Sequence, residues 1–172
     1  MSKTANLKTK LRAWLYTRFP FLAHKAAAKI RPFSFENTPW APIVKPLSEI
    51  KVSIVTTSGV HLNSDLPFNM EDETGDPSYR IVPSDADIST LTITHNYYNH
   101  SDADRDINIV FPIERMREYV DEGRIGSLAN QHYGMMGHIR ENHLGEYMNK
   151  WLPEVAKMMK EDSVDCALIT PG

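Results

Sequence analysis

The stretch Lys51-Val-Ser-Ile-Val-Thr-Thr57, followed by Ser58-Gly59, decides the fold. It is short and rich in β-branched residues, which is typical of a buried strand that opens into a loop. Further short strands are predicted at residues 79–82, 91–94, 107–111 and 164–170. Helical patterns alternate with these strands. We therefore predict an α/β fold with an open, mainly parallel sheet flanked by helices in three layers, of the Rossmann or flavodoxin-like type.

Two helices complete this pattern. Pro112 is predicted as the first residue of a helix with Ile113, Met116 and Val120 on one face, and Gly123 is predicted to end it. Residues 142–160 form the second helix, which Pro153 must kink or divide because it lacks the N–H that a helix interior needs. In open α/β sheets a site forms beyond the carboxyl ends of the strands, so the loops there are the first candidates.

Composition limits the class of protein. The chain has 172 residues, of which 41% are hydrophobic and 24% charged, and a formal net charge of −3. These values are typical of a globular protein with one core. No apolar run approaches the roughly 20 residues that a membrane-spanning helix needs. The single cysteine, Cys166, excludes an internal disulfide and a multi-cysteine zinc site; we predict that it is a core residue and that the protein is cytoplasmic.

The N-terminal segment carries charge of one sign. Every charged residue before Glu36 is basic, and these are Lys3, Lys8, Lys10, Arg12, Arg18, Lys25, Lys29 and Arg31. Apolar residues near helical spacing predict an amphipathic helix up to Phe19 and a second helix over residues 22–30. The prolines that follow predict an extended strap. We therefore divide the chain into a basic helical arm with a strap, residues 1–48, and an α/β domain, residues 49–172.

Three functions suit this basic arm. It can pack on the domain or on a second copy, it can attach to anionic lipid at a membrane surface, or it can bind nucleic acid or act in targeting. For the protein as a whole we expect a homo-oligomer, a weak membrane-surface contact through the arm, and no nucleic-acid partner.

Reactive side chains cluster after the predicted strands. His95 and His100 follow one strand, and His132 and His138 flank the Gly134-Met-Met-Gly137 turn. Three carboxylates come directly after His100: Asp102, Asp104 and Asp106. Such a loop can serve acid–base chemistry, hold a metal ion or cap local turns. No HExxH, GxSxG, P-loop or GxGxxG motif occurs, so the common zinc-protease, serine-hydrolase and nucleotide sites are not predicted.

Several separated motifs occur in a defined order along the chain. They are Thr56-Thr-Ser-Gly-Val-His61; Gly75-Asp-Pro-Ser-Tyr-Arg80 with Val82-Pro83; Thr94-His-Asn-Tyr-Tyr-Asn-His-Ser-Asp102 with Asp106-Ile-Asn108; Phe111-Pro-Ile-Glu-Arg115; and Gly123-Arg-Ile-Gly126 followed by His132 and Met136-Gly137. Together they resemble the selenoprotein B component of the glycine, sarcosine, betaine and D-proline reductase family. The resemblance spans about residues 51–172.

The resemblance implies a chemistry. In that family the strand that resembles residues 164–170 is followed directly by selenocysteine, or by cysteine in some relatives. This residue attacks the substrate carbon beside nitrogen and begins reductive C–N cleavage, with electrons drawn finally from thiols. We expect no other cofactor and no metal ligand in this chain, and a selenocysteine or cysteine directly after Gly172. Because selenocysteine is encoded by a stop codon, we expect a reading frame that continues there; the alternative is a short paralogue without the redox residue.

The resemblance also implies roles for individual residues. An acid must protonate the departing amine, and this role falls to His95 and His100, with Asp102 or Asp106 orienting an imidazole and His132 as a further wall. The predicted catalytic residues are His95, His100, Asp102, Asp106 and His132. The predicted substrate-binding residues are Thr57, Ser58, Gly59, His61, Met136 and Gly137.

These observations lead us to expect an enzyme. It would be component B of a selenol- or thiol-dependent reductase that cleaves a C–N bond of a small amine or amino acid of the glycine, sarcosine, betaine or D-proline type. Other reductase subunits or a thiol donor would be its partners. The alternatives are a non-catalytic binding or assembly module of a reductase complex and, third, a His/Asp metal-dependent hydrolase.

Overall fold

A computed structural model describes residues 11, 13–28, 41–140 and 142–172. The chain divides into two compact units, residues 1–44 with 96–99, and residues 45–95 with 100–172. In the first unit, residues 13–18 are helical and helix α1 spans Pro20–Ala27. The predicted helices on either side of Pro20 are therefore confirmed for the residues described. Residues 1–10, 12 and 29–40 of the predicted arm and strap lie outside them, and the domain boundary after residue 48 stays a prediction.

The second unit is built on a mixed sheet. The strands of this unit are β1 (Lys51–Thr56), β2 (Val60–Leu62), β3 (Arg80–Pro83), β4 (Leu91–Ile93), β5 (Ser127–Leu128), β6 (Gln131–Gly134) and β7 (Cys166–Thr170). The helices are α2 (Ile113–Asp121), α3 (Asn142–Glu146) and α4 (Leu152–Glu161), with a π-helical turn over Tyr147–Trp151. Single 3₁₀ turns span Leu47–Glu49, Ile88–Thr90 and Ile107–Ile109.

Strand β1 lies at the centre of the sheet. β7 runs parallel to it, from Cys166 opposite Val52 to Thr170 opposite Thr56. β7 therefore occupies one side of β1. On the other side, β5 pairs with the beginning of β1 and β6 with its end, and both strands also run parallel to β1. β3 joins β6 in the antiparallel sense, and β2 pairs with β4 in a separate two-stranded antiparallel sheet. The α/β class is confirmed, but the sheet is mixed; the Rossmann-like, three-layer topology stays a prediction.

Alternate residues of β1 pack into two different hydrophobic clusters. Ile54 belongs to a cluster with Phe111 and Ile113 of the α2 region, whereas Val55 belongs to one with Tyr133 and with Val155 of α4. Side chains alternate between the two faces of a strand, so helices cover the sheet on both sides of β1. This burial on both faces explains why the neighbouring residues Ile54 and Val55 are both apolar and β-branched, where a half-exposed strand would alternate. Cys166 of β7 was predicted to be a core residue; it is partly buried and packs against the first cluster.

Local capping overturns one predicted strand. Residues 107–111 form a 3₁₀ turn and the approach to α2 instead, because the Asp106 carboxylate accepts the Asn108 N–H at 3.0 Å and caps the turn. The Asn108 side chain in turn accepts the Glu114 N–H in the first turn of α2 (3.1 Å). These side-chain hydrogen bonds hold a compact loop, and they would be lost if the residues formed a strand. The apolar run alone therefore predicts the wrong structure.

The two predicted helices are confirmed with small changes. Pro112 is the residue that precedes α2 rather than its first residue, and Gly123, just beyond the helix end, adopts the left-handed conformation (φ 68°). Pro153 divides the second helix as expected. The preceding turn widens to a π-helix, which accommodates the missing Pro153 N–H and the bulk of its ring.

Strand β6 was not predicted and depends on a glycine. A methyl group on Gly134 would collide with the carbonyl oxygen of Val60, which is main chain and cannot rotate away. We expect Gly134→Ala to lower the free energy of unfolding by about 1–3 kcal/mol, as measured by urea titration. The matched control is Gly145→Ala, since a methyl group there meets nothing within 4 Å; helix propensity should raise stability slightly. Equal behaviour of the two variants would contradict the close approach of β6 to Val60.

Candidate functional site

Three parallel strands end at the same edge of the sheet. β1, β6 and β7 continue into residues 57–59, 135–137 and 171–172, and main-chain hydrogen bonds join these segments beyond the strands. The Thr57 N–H donates to the Thr170 carbonyl (3.0 Å), the Gly59 N–H to the Met135 carbonyl (2.8 Å), and the Gly137 N–H to the Thr57 carbonyl (2.8 Å). The segment after β1 is therefore held between the other two. This is the position at which open α/β sheets place their chemistry.

Hydroxyl groups line the junction between β1 and β7. The Thr56 hydroxyl donates to the Ser58 hydroxyl (2.9 Å), and the Ser58 hydroxyl donates to the Pro171 carbonyl (3.2 Å). The Gly172 N–H donates to the Thr57 hydroxyl oxygen (3.2 Å). A methyl group on Gly172 would lie 2.5 Å from Ser58 Cα and 2.8 Å from Ser58 Oγ, so glycine is needed for this close approach. Three of the predicted substrate-binding residues, 57–59, therefore form one surface with residues 171–172.

His95 lies against this surface. The Thr94 N–H donates to the Gly59 carbonyl (2.9 Å), and a methyl group on Gly59 would lie 3.1 Å from His95 Cβ. The imidazole is buried at 4% exposure. Burial, and then the positive charges that His138 and His100 can carry nearby, lower the pKa of His95 to about 4. His95 is therefore neutral at pH 7, when it can donate a hydrogen bond but holds no second proton to give.

His100 has a carboxylate partner that differs from the predicted one. Its Nδ1 lies 2.8 Å from Oδ1 of Asp104, because successive turns over residues 100–106 bring position i+4 back to the ring. Asp102 instead forms an exposed ion pair with Arg105 (3.1 Å), and Asp106 caps the following 3₁₀ turn. At His100 the structure therefore places Asp104 beside the ring; that Asp102 or Asp106 orients an imidazole stays a prediction.

His138 also lies near His95, and its charge, like that of His100, contributes to the lowered pKa of the His95 ring. Its Nε2 lies 3.0 Å from the Glu73 carbonyl, and the adjacent Arg140 N–H donates to the Thr74 carbonyl (2.9 Å). Gly75 passes so close to the His138 carbonyl that a side chain there would collide with it. The sequence placed His138 beside the glycine turn but assigned no role to it. Its position directly after Gly137, at the end of β6, was the available signal.

His132 lies elsewhere. It belongs to β6 rather than to a turn, it is fully buried, and its ring packs edge-on against Phe111 at 6.0 Å. Its Nδ1 accepts the Ile54 N–H at 3.0 Å, so this nitrogen carries no proton. The His132 side chain thus links β6 to a main-chain N–H of β1. His132 precedes the Gly134–Gly137 segment, as the sequence analysis stated, and its catalytic role stays a prediction.

The remaining predicted substrate-binding residues differ in accessibility. His61 is buried, with Nδ1 donating to the Leu62 carbonyl (2.7 Å) and Nε2 accepting from the Thr94 hydroxyl (2.8 Å). Both ring nitrogens are thus occupied within the fold. Met136 is also buried, and it forms a single β-bridge with Ser58. Gly137 is exposed and approaches Thr57, so it remains at the surface of the strand-end loops.

A cleft of about 380 Å³ borders Asp104. Asp104, Arg105 and Asp106 supply its charged groups, and its apolar wall includes Leu91, Ile93 and Ile107. Carboxylates beside an apolar wall suit a small organic cation. Within residues 11, 13–28, 41–140 and 142–172, no group of three or more His, Cys, Asp or Glu side chains is arranged to hold a metal ion. In the same residues, no helix is both long enough and apolar enough to span a bilayer.

The buried histidines predict a pH dependence of stability. Burial lowers the pKa of both His95 and His132 to about 4, against about 6.5 in the unfolded chain. Between pH 6.5 and pH 4 the unfolded chain therefore binds protons that the folded protein does not. We expect the free energy of unfolding to be unaffected by these groups above pH 6.5 and to fall below it, by up to about 1.4 kcal/mol per pH unit for each histidine.

Urea titrations across this range test the expectation. In His132→Gln, the amide oxygen can still accept the Ile54 N–H, but the group no longer titrates. The slope should then fall by about half, while His24→Gln, at an exposed position of α1, should keep the full slope. An unchanged slope in His132→Gln would show that His132 takes up its proton equally in both states.

Comparison with known proteins identifies the family to which the chain is similar. The sequence matches the family described as glycine/sarcosine/betaine reductase selenoprotein B over residues 25–172. The D-proline reductase subunit gamma of Acetoanaerobium sticklandii is 37% identical over 77% of this chain and 53% of its own length. The glycine reductase complex component B subunit gamma of Symbiobacterium thermophilum is 28% identical over 80% of this chain and 32% of its own length. The sarcosine reductase complex component B subunit beta of Peptoclostridium acidaminophilum is 34% identical over 56% of this chain and 22% of its own length.

The chain spans about half the length of the first of these relatives and smaller shares of the other two. No solved structure matches it. The match covers most of the residues of this chain and includes all three segments that meet at the edge of the sheet. The chain therefore belongs to the glycine/sarcosine/betaine reductase selenoprotein B family.

Proposed function

We propose that this chain is part of component B of a reductase complex that cleaves the C–N bond of a small amine or amino acid. One observation carries the proposal: the ends of β1, β6 and β7 bring residues 57–59 and 171–172 together, and His95 lies against the same loop. Relatives named as subunits of D-proline, glycine and sarcosine reductases support the reaction class and suggest other reductase subunits as partners.

The position after Gly172 is where the nucleophile would stand. The resemblance implies a selenocysteine or cysteine there, which supplies a selenolate or thiolate able to attack the carbon beside nitrogen. The fit of the chain supports this position, because the Thr57 hydroxyl and the main chain of Ser58 hold Gly172 in place. These contacts with the loop after the central strand β1 fix a residue that follows β7 more firmly than a surface loop would.

The leaving nitrogen takes the electron pair of the broken C–N bond. An ammonium nitrogen then departs as a neutral amine, whereas a nitrogen that enters the reaction uncharged needs a proton. We assign this donation to His100, whose Nδ1 is fixed by Asp104 and whose ring belongs to the cluster with His95 and His138. Neutral His95 is suited to a hydrogen bond to the substrate and not to proton transfer at pH 7. Asp104 and Asp106 at the adjacent cleft suit the positive charge of an amine. Electrons for turnover would come from a dithiol that becomes a disulfide.

Mass spectrometry of the protein from its native host tests the nucleophile. The expected result is a chain that continues beyond Gly172 with selenium or sulfur in the next residue. That protein should release amine from one of glycine, sarcosine, betaine or D-proline when a dithiol is present. A native chain without a selenocysteine or cysteine at that position would overturn the mechanism and leave a non-catalytic binding module of the complex as the better proposal.

A further inference from the structure

We propose a second, separate function for the basic arm: residues 1–31 bind the surface of a membrane that contains anionic lipid. The first observation is exposure of apolar side chains. Leu11, Trp14, Phe19 and Phe21 are 53%, 53%, 40% and 65% exposed, and α1 contains no buried residue. Exposed aromatic and aliphatic side chains on short helices are typical of segments that lie in the lipid interface.

The second observation is charge. All eight charged residues of the arm are basic, whereas the rest of the chain carries 11 basic and all 22 acidic residues. An anionic surface therefore attracts the arm and repels the remainder, which confines the contact to one end of the sequence. Each lysine or arginine near an anionic membrane strengthens binding about fivefold. Two of them, Arg18 and Lys25, are exposed next to the apolar groups.

The third observation is that most of the arm lies outside the family match, which begins at residue 25. The exposed apolar groups and five of the eight basic residues precede that position. The arm therefore adds a property that the matched region does not require. The aliphatic Leu11 and the phenyl ring of Phe21 offer no hydrogen bond to a base edge, so hydrocarbon fits this surface better than nucleic acid does.

Vesicle binding tests the proposal with the full chain. We expect it to sediment with vesicles of equal parts phosphatidylcholine and phosphatidylglycerol, to bind pure phosphatidylcholine far more weakly, and to be released by salt. Trp14 fluorescence should shift to the blue on binding, and Trp14→Phe should bind almost as well without that shift. Absence of binding to the anionic vesicles at low salt, or equal binding to both vesicle types, would overturn the proposal.

Variants separate the two contributions. Replacing Trp14 and Phe21 together by alanine removes apolar groups and leaves the charge; we expect at least a tenfold loss of partitioning. Arg18→Gln and Lys25→Gln should each lower it about fivefold at low salt. Leu66→Ala is the matched control, since Leu66 is 81% exposed but lies in the other unit. Equal loss in Leu66→Ala would overturn the assignment. So would an arm that binds a DNA oligonucleotide or a second copy of the chain and does not bind vesicles.

Discussion

Replacing His100 with glutamine is expected to lower the rate of C–N cleavage by about 100- to 10,000-fold. Positioned acid catalysis contributes this much when a leaving group must be protonated. Glutamine can still donate a hydrogen bond to Asp104, so the turns over residues 100–106 are preserved while the proton donor is lost. The measurement is amine release by the native-length protein in the presence of dithiol, over a range of pH. Binding of substrate should change little.

The chain offers a matched control for this variant. His143 also contacts a carboxylate, with its Nε2 2.8 Å from Oδ2 of Asp72, and its side chain is 28% exposed against 27% for His100. It lies in α3, and glutamine there can also keep the contact. We expect His143→Gln to retain nearly full activity. Equal activities of the two variants, whether both high or both low, would contradict a specific role for His100.

Asp104→Asn extends the same test. Asparagine keeps the shape of the side chain but removes the carboxylate charge that fixes the His100 ring, so we expect the rate of amine release to fall. Asp102→Asn is the control, because Asp102 is exposed and pairs with Arg105. A lower rate in Asp102→Asn and an unchanged rate in Asp104→Asn would return the role to a residue that the sequence suggested.

The strands that carry their own apolar signal could be predicted from the sequence. β1 and β7 are rich in β-branched and aliphatic residues, and both lie within two residues of their predicted bounds. β6 has no such signal, since Gln131-His-Tyr-Gly134 is polar and only four residues long. It becomes a strand because β1 and β3 offer hydrogen bonds on either side. A local pattern cannot contain that information.

The candidate site shows the same division. Residues 57–59 and His95 each follow a predicted strand. They meet, however, because β2 pairs with β4 in a separate antiparallel sheet, and that pairing was not predicted. The partner of His100 could not be predicted either, because three aspartates at alternate positions all lie within reach of the ring in sequence. Only the turn geometry selects Asp104. His132 lies two residues before Gly134 and His138 one residue after Gly137, and the extent of β6 decides which of them reaches the site.

Gly172→Ala is expected to lower the rate of C–N cleavage about 100-fold in the native-length protein. The added methyl group would lie 2.5 Å from Ser58 Cα and 2.9 Å from Ser58 Cβ. Because one of these atoms is main chain, rotation of a side chain cannot relieve the contact, and the end of β7 must move away from residues 57–58. A displacement of about 1 Å at a reacting group is enough for a loss of this size.

The stability of Gly172→Ala and the reactivity of its nucleophile distinguish a local displacement from a loss of folding. Gly172 is exposed and follows the last strand, so the urea midpoint of Gly172→Ala should stay close to that of the unchanged protein. In the proposed mechanism, alkylation of the selenocysteine or cysteine after Gly172 by a small reagent should also continue, because that residue would be displaced and not removed. Gly145→Ala, where a methyl group meets nothing within 4 Å, should keep full activity. If Gly172→Ala turns over at the normal rate, the contact with Ser58 does not position the reacting residue, and the site must lie farther from the end of β1.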